Sequence, residues 1–384
     1  MKILYDYQIF TSQKYGGISR YFVEIISHLS NDISYEIPVL YSDNVYLRKQ
    51  LEFDYLKPVY NPIDQFLFGW KFRGKHILFQ WFKKYFPSHY VDCYTLNKAM
   101  NIESIKAQDF DIFHPTYYDD YFLEYLGNKP FVLTVHDMIH ELYPELLNDS
   151  CLSVRKKRLV ERAAHIIAVS ENTKKDIMDI FCIPEEKISV IYHASSMTKI
   201  ADGSFQLPEK YFLFVGARRG YKNFLFFIRA LAPILEHEKD VAVVCTGGSF
   251  SKEELDVLDS LNIREHFIST FVEEDEMFEL YNRAIALVFP SYYEGFGIPI
   301  LEAFESSCPV LLSDASCFPE IAQEAAIFFP PKDIKQIQFC LEEILHNTAL
   351  KQTLINRGLE RIKNFSWEKS AQQTYEVYQR VLKN

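Results

Sequence analysis

Short apolar runs rich in β-branched residues alternate with amphipathic segments along nearly the whole chain. Each apolar run has the length of a buried strand, and each amphipathic segment has the spacing of a helix that packs on one face. Strands that alternate with helices form βαβ units, in which the helix carries the chain back so that the next strand pairs in parallel. The pattern therefore predicts the α/β class with parallel sheets.

The first half of the chain predicts one complete sheet. Its strands are predicted at Lys2–Tyr7, Glu36–Tyr41, Asp111–Pro115, Phe131–Asp137, Ile166–Ser170 and Ile188–Tyr192. A helix is predicted to begin after Gly17, because apolar residues from Ile18 to Leu29 recur at a spacing that puts them on one face. We expect a Rossmann-like domain over residues 1–195.

The second half starts the same pattern again. Its strands are predicted at Tyr211–Gly216, Val241–Thr246, Phe267–Phe271, Ala286–Pro290, Val310–Ser313 and Ala326–Phe329. Between the halves, Ala194–Pro208 is rich in small and polar residues and has no periodic pattern, which is typical of a linker. We expect a second Rossmann-like domain over residues 209–366. The closing segment Trp367–Leu382 predicts a helix, and its periodicity does not indicate which domain it packs on.

Length and charge narrow the possible functions. A chain of 384 residues exceeds what one hydrophobic core usually serves, which agrees with two domains. The 41 basic and 52 acidic residues give a net charge of −11, which argues against nucleic acid as the main partner. The seven cysteines are scattered and contain no Cys-x-x-Cys pair, so neither disulfides nor a zinc site is indicated. We therefore expect a reducing compartment, the cytoplasm.

Membrane insertion is not predicted. The first ten residues, MKILYDYQIF, lack the basic region, apolar run and cleavage site of a signal peptide. No apolar run reaches the roughly 18 residues that a membrane-spanning helix needs.

The segment Phe66–Phe86 is basic within an acidic protein, and its aromatic residues are interleaved with lysine and arginine. Such a mixture suits the headgroup layer of an anionic membrane, where rings enter the interface and cations meet lipid phosphate. The alternative is that the aromatics are core and the cations are their solvated flank. Both interpretations stay open, with the core interpretation slightly favoured and a peripheral membrane contact kept as a hypothesis.

The sharpest local motif is Phe289–Ala303, in which a strand ends, a glycine-rich turn follows, and a helix begins near Pro299. Gly295 and Gly297 allow the backbone to approach a ligand closely, and a helix amino terminus attracts anions. This arrangement suits a diphosphate. Glu294 in the turn and Glu302 in the helix can face the same crevice and accept hydrogen bonds from sugar and ribose hydroxyls. The alternative for the two carboxylates is an exposed residue and a helix-dipole partner.

A second glycine turn, Val215–Asn223, again follows a strand and precedes a helix. Its cations are Arg218, Arg219 and Lys222. Cations that point at phosphate oxygens can neutralise the charge of a departing diphosphate without a metal. Charged surface loops are common, but this loop opens the second sheet at the edge where Glu294 is expected.

The first domain contributes weaker candidates. Lys14–Arg20 contains a Gly-Gly turn after the first strand but lacks the full Gly-x-Gly-x-x-Gly pattern of a dinucleotide site. His114 and His136 both lie at carboxyl ends of predicted strands, and substrate contact is favoured for His136. The Asp-x-Asp pattern at Asp109–Asp111 precedes a strand, so it belongs to the wrong sheet edge and is interpreted as a solvated loop.

Together these segments resemble glycosyltransferase family 4, the retaining group 1 enzymes of GT-B fold, over nearly the whole chain. The resemblance is carried by YGGISRYF, DIFHPTYY, TVHDMIHELYPE, AVSENTKKDI, FVGARRGYKNF, VFPSYYEGFGIPILEAF and FSWEKSAQQTY. It implies two Rossmann-like domains that face each other across a cleft, with a final helix, residues 367–384, that crosses back to the first domain. Many relatives have an arginine directly after the glycine of the second-domain loop, where this chain has Ala217.

The resemblance assigns roles to named residues. The implied catalytic residues are His136, Glu294, Lys222 and Arg218. The implied donor-binding residues are Gly216, Arg218, Arg219, Lys222, Gly295, Phe296, Gly297, Ile298 and Glu302, with Lys222 and one of the two arginines on the diphosphate. The implied acceptor residues are Gly16, Gly17, Arg20, His114, Tyr117 and Asp137.

The resemblance also implies a reaction. Retention in this family is described as a front-face displacement, in which the departing phosphate oxygen helps to deprotonate the acceptor, so that no protein nucleophile, metal or cofactor is needed. The variants GARRGYKN and HDMIHE resemble bacterial enzymes of O-antigen and capsule synthesis, several of which use GDP-mannose. A UDP-sugar donor and a catalytically silent sugar-nucleotide-binding scaffold are the alternatives.

Overall fold

Two parallel sheets of similar topology follow one another along the chain in the computed structural model. The structure describes residues 1–30, 32–70, 72–86, 91–147, 150–197, 206–218, 220–273 and 276–383. The sequence-predicted strands coincide with observed strands to within two residues at each end, except the second. The α/β class and the two Rossmann-like sheets are thus confirmed.

The first sheet consists of β1 (Lys2–Tyr5), β2 (Ser34–Glu36), β3 (Ile112–His114), β4 (Val132–Val135), β5 (His165–Ala168) and β6 (Ile188–Val190). All of its ladders are parallel, in the orders β2-β1-β3 and β4-β5-β6, and a bridge between Phe113 and Phe131 joins the two halves. The inner strands β1, β3, β4 and β5 are buried on both faces, as expected for a sheet covered by helices on each side, whereas the edge strand β2 is largely exposed.

The helices of this half lie between and beyond those strands. They are α1 (Gln8–Ser12), α2 (Gly17–Ser27), α3 (Val45–Gln50), α4 (Pro62–Gln65), α5 (Lys75–Tyr85), α6 (Cys93–Ala107), α7 (Ile139–Leu142), α8 (Ser150–Arg162) and α9 (Glu171–Phe181). The helix predicted after Gly17 is confirmed as α2, whose apolar side chains are buried from Tyr21 to Ile26.

The second strand begins and ends earlier than the sequence predicts. Glu36–Tyr41 is predicted, whereas the observed strand is Ser34–Glu36. Pro38 has no N–H to donate to a ladder. Beyond it, the N–H groups of Leu40 and Tyr41 donate instead to Asn97 Oδ1, at 3.0 and 3.1 Å. The apolar run therefore continues into a loop that is tied to α6.

The second sheet has the strand order β12-β11-β10-β7-β8-β9 and is parallel throughout. This is the doubly wound order of dinucleotide-binding folds, which bind ligands at the carboxyl ends of their strands. The strands are β7 (Lys210–Phe214), β8 (Val241–Thr246), β9 (Phe267–Thr270), β10 (Ala286–Phe289), β11 (Val310–Ser313) and β12 (Ile327–Phe329). The helices are α10 (Phe224–His237), α11 (Lys252–Ser260), α12 (Met277–Asn282), α13 (Ile298–Glu305), α14 (Phe318–Ala322), α15 (Ile334–His346) and α16 (Thr348–Arg361).

The last helix, α17 (Trp367–Lys383), leaves the second domain and packs on α2 and β5 of the first. The Tyr378 hydroxyl lies 2.9 Å from the Tyr5 hydroxyl and 2.6 Å from His114 Nδ1. At the start of the helix, Trp367 Nε1 donates to Ser196 Oγ at 2.7 Å. The first domain is therefore completed by the last segment of the chain.

In the part of the chain that the structure describes, no helix combines the length and the apolar character that crossing a bilayer would require.

Candidate functional site

A cleft with a volume of about 310 Å³ lies between the two domains. The first domain lines it with loops that follow β1, β4 and β6, and the second domain lines it with loops that follow β7 and β10. Carboxyl ends of strands from both sheets therefore meet there, which is where open α/β sheets bind ligands. The lining residues are Gln13, Gly17, Ile18, His136, Asp137, Ile139, His193, Tyr221, Lys222, Phe289, Glu294, Gly295, Phe296, Gly297, Ile298 and Pro299.

The floor of the cleft is the glycine turn between β10 and α13. Gly297 has a φ of +93°, a conformation that favours glycine, and α13 begins directly after it with no side chain capping its amino terminus. Pro299 occupies the first turn, where its missing N–H costs nothing. The helix therefore presents its positive end to the cleft, as an anion site requires.

Lys222 and Glu294 form an ion pair inside this cleft. Lys222 Nζ lies 2.5 Å from Glu294 Oε1, and each side chain is only 13% exposed. The Tyr292 N–H donates to the Tyr221 carbonyl at 2.8 Å, which ties the two loops together beside the pair. Two residues 72 positions apart in the sequence are thus held at one point, as the two glycine motifs predicted.

Gly295 is a point of close contact between the domains. A Cβ at this position would overlap the carbonyl oxygen of His136 and lie 3.2 Å from Asp137 Cα. On its other side, the Gly295 carbonyl accepts hydrogen bonds from Ser170 Oγ at 2.8 Å and Thr173 Oγ1 at 3.3 Å. Besides its predicted donor role, this glycine lets the first domain approach the cleft floor.

His136 is buried beside the cleft. Its backbone N–H donates to the Tyr118 hydroxyl at 2.9 Å, while its Nε2 is buried with no hydrogen-bond partner among the described residues. Burial, followed by the nearby His114 and Lys156, lowers the pKa of His136 to about 3. The imidazole is therefore neutral near pH 7. It can hydrogen-bond a hydroxyl, but it does not bring a positive charge to the cleft.

His193 was not singled out from the sequence, yet it lines the same cleft. Its ring is stacked against that of His136 with centroids 6.3 Å apart, and Phe296 lies 4.8 Å away. Its Nδ1 is buried without a partner in the described structure, and burial holds its pKa well below the usual range. The available signal was position, because His193 directly follows a predicted strand.

Lys156 is the second residue that sequence reasoning missed. Its side chain is 0% exposed, and Nζ donates to the Asp137 carbonyl and to Glu141 Oε2, both at 2.9 Å. It also lies 3.6 Å from Asp137 Oδ1. This buried ammonium, on α8, therefore fixes the loop that carries His136 and Asp137.

Replacing Lys156 with methionine is expected to destabilise the protein by about 3–5 kcal/mol, because Glu141 would stay buried as an unpaired carboxylate. Chemical denaturation measures this change. The matched control is Lys157→Met, one residue further on, whose exposed side chain pairs with Glu161 at 3.9 Å and should contribute less than about 1 kcal/mol. Equal effects for the two variants would contradict the assigned role of Lys156.

Arg218 is not brought into the cleft. Its Nε donates to Glu254 Oε1 at 2.9 Å, and its Nη2 donates to the carbonyls of Gly248 and Ser249. The guanidinium carbon lies 4.7 Å from the centroid of the Phe250 ring. A guanidinium held in this way is committed to shaping the neighbouring loop. Its expected contact with the diphosphate does not agree with this position, and Arg219, the alternative, lies outside the described residues.

Arg20 and Glu302 pair with each other across the domains. Arg20 NH1 lies 3.1 Å from Glu302 Oε1, and the Tyr281 hydroxyl donates to Glu302 Oε2 at 2.8 Å. Neither residue lines the 310 Å³ cleft. The predicted acceptor residue and the predicted ribose ligand are therefore neighbours, and a carboxylate with several acceptor sites can still take a further hydroxyl.

The remaining predicted residues divide between cleft and core. A Cβ at Gly17 would lie 3.5 Å from Ile298 Cδ1, so the Gly-Gly turn lies directly opposite the start of α13. Gly216 has a φ of +102° and open space around it. Tyr117 lies outside the cleft lining, with its ring tilted against that of Tyr118 at a centroid distance of 4.7 Å.

His114 is fully buried, which corrects its sequence-based interpretation. Its Nδ1 lies 2.6 Å from the Tyr378 hydroxyl and its Nε2 lies 2.9 Å from Thr134 Oγ1. With both nitrogens occupied inside the protein, the predicted acceptor contact of His114 does not agree with its position. The residue instead joins β3 to α17.

Buried neutral histidines give a pH prediction. Burial lowers the pKa of both His114 and His136 to about 3, below the value of about 6.5 in an unfolded chain. The unfolded state therefore binds more protons below pH 6.5, and each histidine should cost about 1 kcal/mol of stability per pH unit below that value. Burial raises the pKa of Asp6 to about 6, above its ordinary value of about 3.9. Between these two values the folded state binds more protons at Asp6 than the unfolded state does, so this carboxyl opposes the loss of stability as the pH falls.

Thermal melts from about pH 7.5 down to about pH 5.5 measure this dependence. His136→Asn should flatten the curve, whereas His237→Asn, an exposed control at the end of α10, should not. If melting temperature fell with pH equally in wild type and in His136→Asn, the conclusion that His136 is buried in its neutral form would be contradicted.

Comparison with known proteins gives consistent matches. Residues 15–195 match the model for Glycosyltransferase Family 4, and residues 197–361 match the model for Glycosyl transferases group 1. The chain is 31% identical to the O-antigen chain mannosyltransferase RfbU of Salmonella typhimurium over 236 residues, which cover 57% of this chain and 65% of RfbU. It is 27% identical to O-antigen chain mannosyltransferase B of Escherichia coli over 264 residues, covering 64% of this chain and 69% of that protein.

Solved structures match over almost the entire chain. HepE of Anabaena, in complex with UDP-glucose, superposes with a TM-score of 0.71 at 16% identity, covering 98% of this chain and 99% of HepE. Sucrose-phosphate synthase of Thermosynechococcus elongatus gives a TM-score of 0.71 at 17% identity, covering 99% of both chains. At these identities the likeness shows a shared fold.

Proposed function

Since this chain belongs to the family 4, group 1 glycosyltransferases and has their GT-B fold, we propose that it transfers mannose from GDP-mannose to a saccharide acceptor with retention of configuration. The observation that carries the proposal is the Lys222–Glu294 pair on a glycine turn at the start of α13, inside an interdomain cleft. The mannosyl donor is supported by the O-antigen mannosyltransferases among the relatives. The proposed acceptor is a glycan or a lipid-linked saccharide of bacterial surface polysaccharide synthesis.

In this mechanism the second domain holds the donor. The ammonium of Lys222 has three N–H donors, so one can remain on Glu294 while the others bind diphosphate oxygens. The amino terminus of α13 adds a partial positive charge. Both stabilise the charge that develops on the leaving diphosphate in a site with little water, so the proposed reaction needs no resident metal. Glu294 accepts hydrogen bonds from sugar hydroxyls.

The first domain supplies the acceptor side of the cleft. The bond between the anomeric carbon and the phosphate oxygen breaks, the bond to the acceptor oxygen forms on the same face, and the acceptor proton passes to the leaving phosphate oxygen. His136, neutral and with Nε2 available, hydrogen-bonds a hydroxyl of the transferring sugar. Close contact between Gly295 and the His136 loop excludes water that would otherwise hydrolyse the donor.

The experiment that tests the proposal combines binding and transfer. Melting temperatures are measured with GDP-mannose, UDP-glucose, UDP-GlcNAc, UDP-galactose, GDP and UDP, with and without a chelator, for wild type and Lys222→Met. A donor at 100 times its Kd should stabilise the wild type by about 2.7 kcal/mol. Product anomeric configuration is then read by NMR from a transfer reaction to a mannose-terminated oligosaccharide.

Each outcome has a distinct meaning. Stabilisation by guanine nucleotides, lost in the variant and unchanged by chelator, supports the proposal. Stabilisation by UDP-sugars favours the alternative donor. Binding without transfer points to a silent scaffold, and no shift with any nucleotide overturns the donor site.

A further inference from the structure

The segment Phe66–Phe86, here called the aromatic-basic hairpin, exposes most of its large apolar side chains. Among its described residues, Phe68 is 87% exposed, Ile77 76%, Trp70 70% and Trp81 60%. Of the large apolar side chains that the structure describes in this segment, only Phe66 and Phe79 are buried. The interpretation that its aromatics are core is therefore wrong for most of them, and the hairpin presents an apolar surface that a soluble monomer rarely leaves uncovered.

Helix α5 has one exposed face and one face that packs against the rest of the hairpin. Ile77, Trp81 and Tyr85 recur every four residues and share one exposed face, on which the Trp81 and Tyr85 rings lie 4.7 Å apart. On the opposite face, Phe79 and Phe82 pack against Phe66 at 5.5 and 5.2 Å. The ring cluster fixes the helix so that its other face points outward.

The charge of the hairpin indicates its partner. The segment contains Lys71, Arg73, Lys75, Lys83 and Lys84 and no aspartate or glutamate, within a protein of net charge −11. Lys71 lies outside the described residues, and Lys83 is 4.0 Å from Asp92. Tryptophan, tyrosine and phenylalanine next to lysine and arginine are the composition of surfaces that lie in the headgroup region of anionic membranes.

The hairpin belongs to the first domain and is connected to it near the carboxyl end of β1. The chain before and after the hairpin is joined by a hydrogen bond from the Tyr60 hydroxyl to the Val91 carbonyl at 3.0 Å. In α6, the next helix after the hairpin, the Tyr94 hydroxyl donates to the carbonyl of Gln8, the first residue of α1 after β1. The loop after β1 also lines the cleft, so the chain that follows the hairpin is anchored at the sheet edge where the cleft lies.

We propose that the aromatic-basic hairpin docks this protein on the surface of an anionic lipid bilayer, with Phe68, Trp70, Ile77 and Trp81 entering the interface and Arg73 and Lys84 meeting lipid phosphate. This goes beyond the proposed glycosyl transfer and does not depend on which donor is used. Bilayer docking would bring the cleft close to an acceptor carried on a lipid.

The test is co-sedimentation of the full chain with vesicles of equimolar phosphatidylglycerol and phosphatidylcholine. Wild type should bind these vesicles, bind pure phosphatidylcholine far less, and lose affinity as salt is raised. Arg73→Gln with Lys84→Gln should weaken binding roughly 25-fold, at about 5-fold for each cation near the surface. Tryptophan emission should shift to the blue on binding, since two of the three tryptophans are in the hairpin and Trp367 is buried.

The apolar contribution is tested with Trp70→Ser and Trp81→Ser together. Phe339→Ser is the matched control, because Phe339 is 56% exposed on α15 of the second domain. The double variant should lose vesicle binding and keep its donor-induced melting shift, which separates this proposal from the proposed function. Absence of wild-type binding to anionic vesicles overturns the proposal. So does concentration-dependent self-association that the double variant abolishes, since the surface would then be a contact between two copies.

Discussion

Replacing Lys222 with methionine is expected to lower kcat for sugar transfer about 100- to 1,000-fold, the effect of removing one charge-stabilising donor at a leaving oxygen. In the structure its ammonium is held at 2.5 Å from Glu294 at the end of the cleft where α13 begins. Initial rates with the donor identified by the melting panel measure the loss. Lys222→Arg, which keeps the charge, should recover part of the activity, and Lys239→Met, an exposed control on the same domain, should have no effect.

A structural explanation of the same loss can be separated from a chemical one. Lys222→Met leaves Glu294 without its partner in a site that is nearly closed to solvent, so it should also lower the melting temperature. Combining it with Glu294→Gln removes the unpaired charge and should restore stability. If the double variant also regained activity, the pair would be structural and the proposed role of Lys222 in transfer would be wrong.

A methyl group at Gly295 should lower kcat/KM at least about 100-fold, because displacing a reacting group by about 1 Å can cost that much. The Cβ of Gly295→Ala would overlap the carbonyl oxygen of His136, which is main chain and cannot rotate away. The two domains would have to separate at this contact. Steady-state kinetics measure the loss, and small-angle scattering measures the separation.

The matched control for this variant is Gly248→Ala. A Cβ at Gly248 meets no atom within 4 Å, and the residue lies in the same domain on another loop. It should retain near-normal activity. Full activity of Gly295→Ala, with unchanged scattering, would contradict the idea that the contact between Gly295 and His136 is kept during the reaction.

The fold was predictable because its signal is local. Parallel strands buried on both faces produce continuous apolar runs, and their helices produce one-sided periodicity, so eleven of the twelve predicted strands coincide with observed ones. The second strand was predicted too late in the sequence because the apolar pattern does not show where strand pairing ends. Pro38 has no N–H for the ladder, and the N–H groups beyond it bond to an asparagine side chain. That partner, Asn97, lies far along the chain.

The candidate site was predictable where a motif carries its own geometry. Glu294 and Lys222 each lie in a glycine turn after a strand, and such turns converge at one sheet edge. Pairings between distant segments left no local signal. The partner of Arg218 is Glu254 on α11, the partner of Glu302 is Arg20 in the other domain, and Lys156 reaches its loop from α8. His193 had a positional signal that went unused.

The return of α17 to the first domain bears on how this protein is made. During synthesis, the first domain emerges before the residues that finish its surface, because Trp367–Lys383 is translated after the entire second domain. Until then the face of α2 has no cover, and Tyr5 and His114 lack the Tyr378 hydroxyl that joins them. Domains usually fold in order as they leave the ribosome. Here the surface of the first domain is completed only when the last helix, α17, has been made. A nascent chain halted before residue 367 would therefore expose an incomplete apolar surface that chaperones can bind.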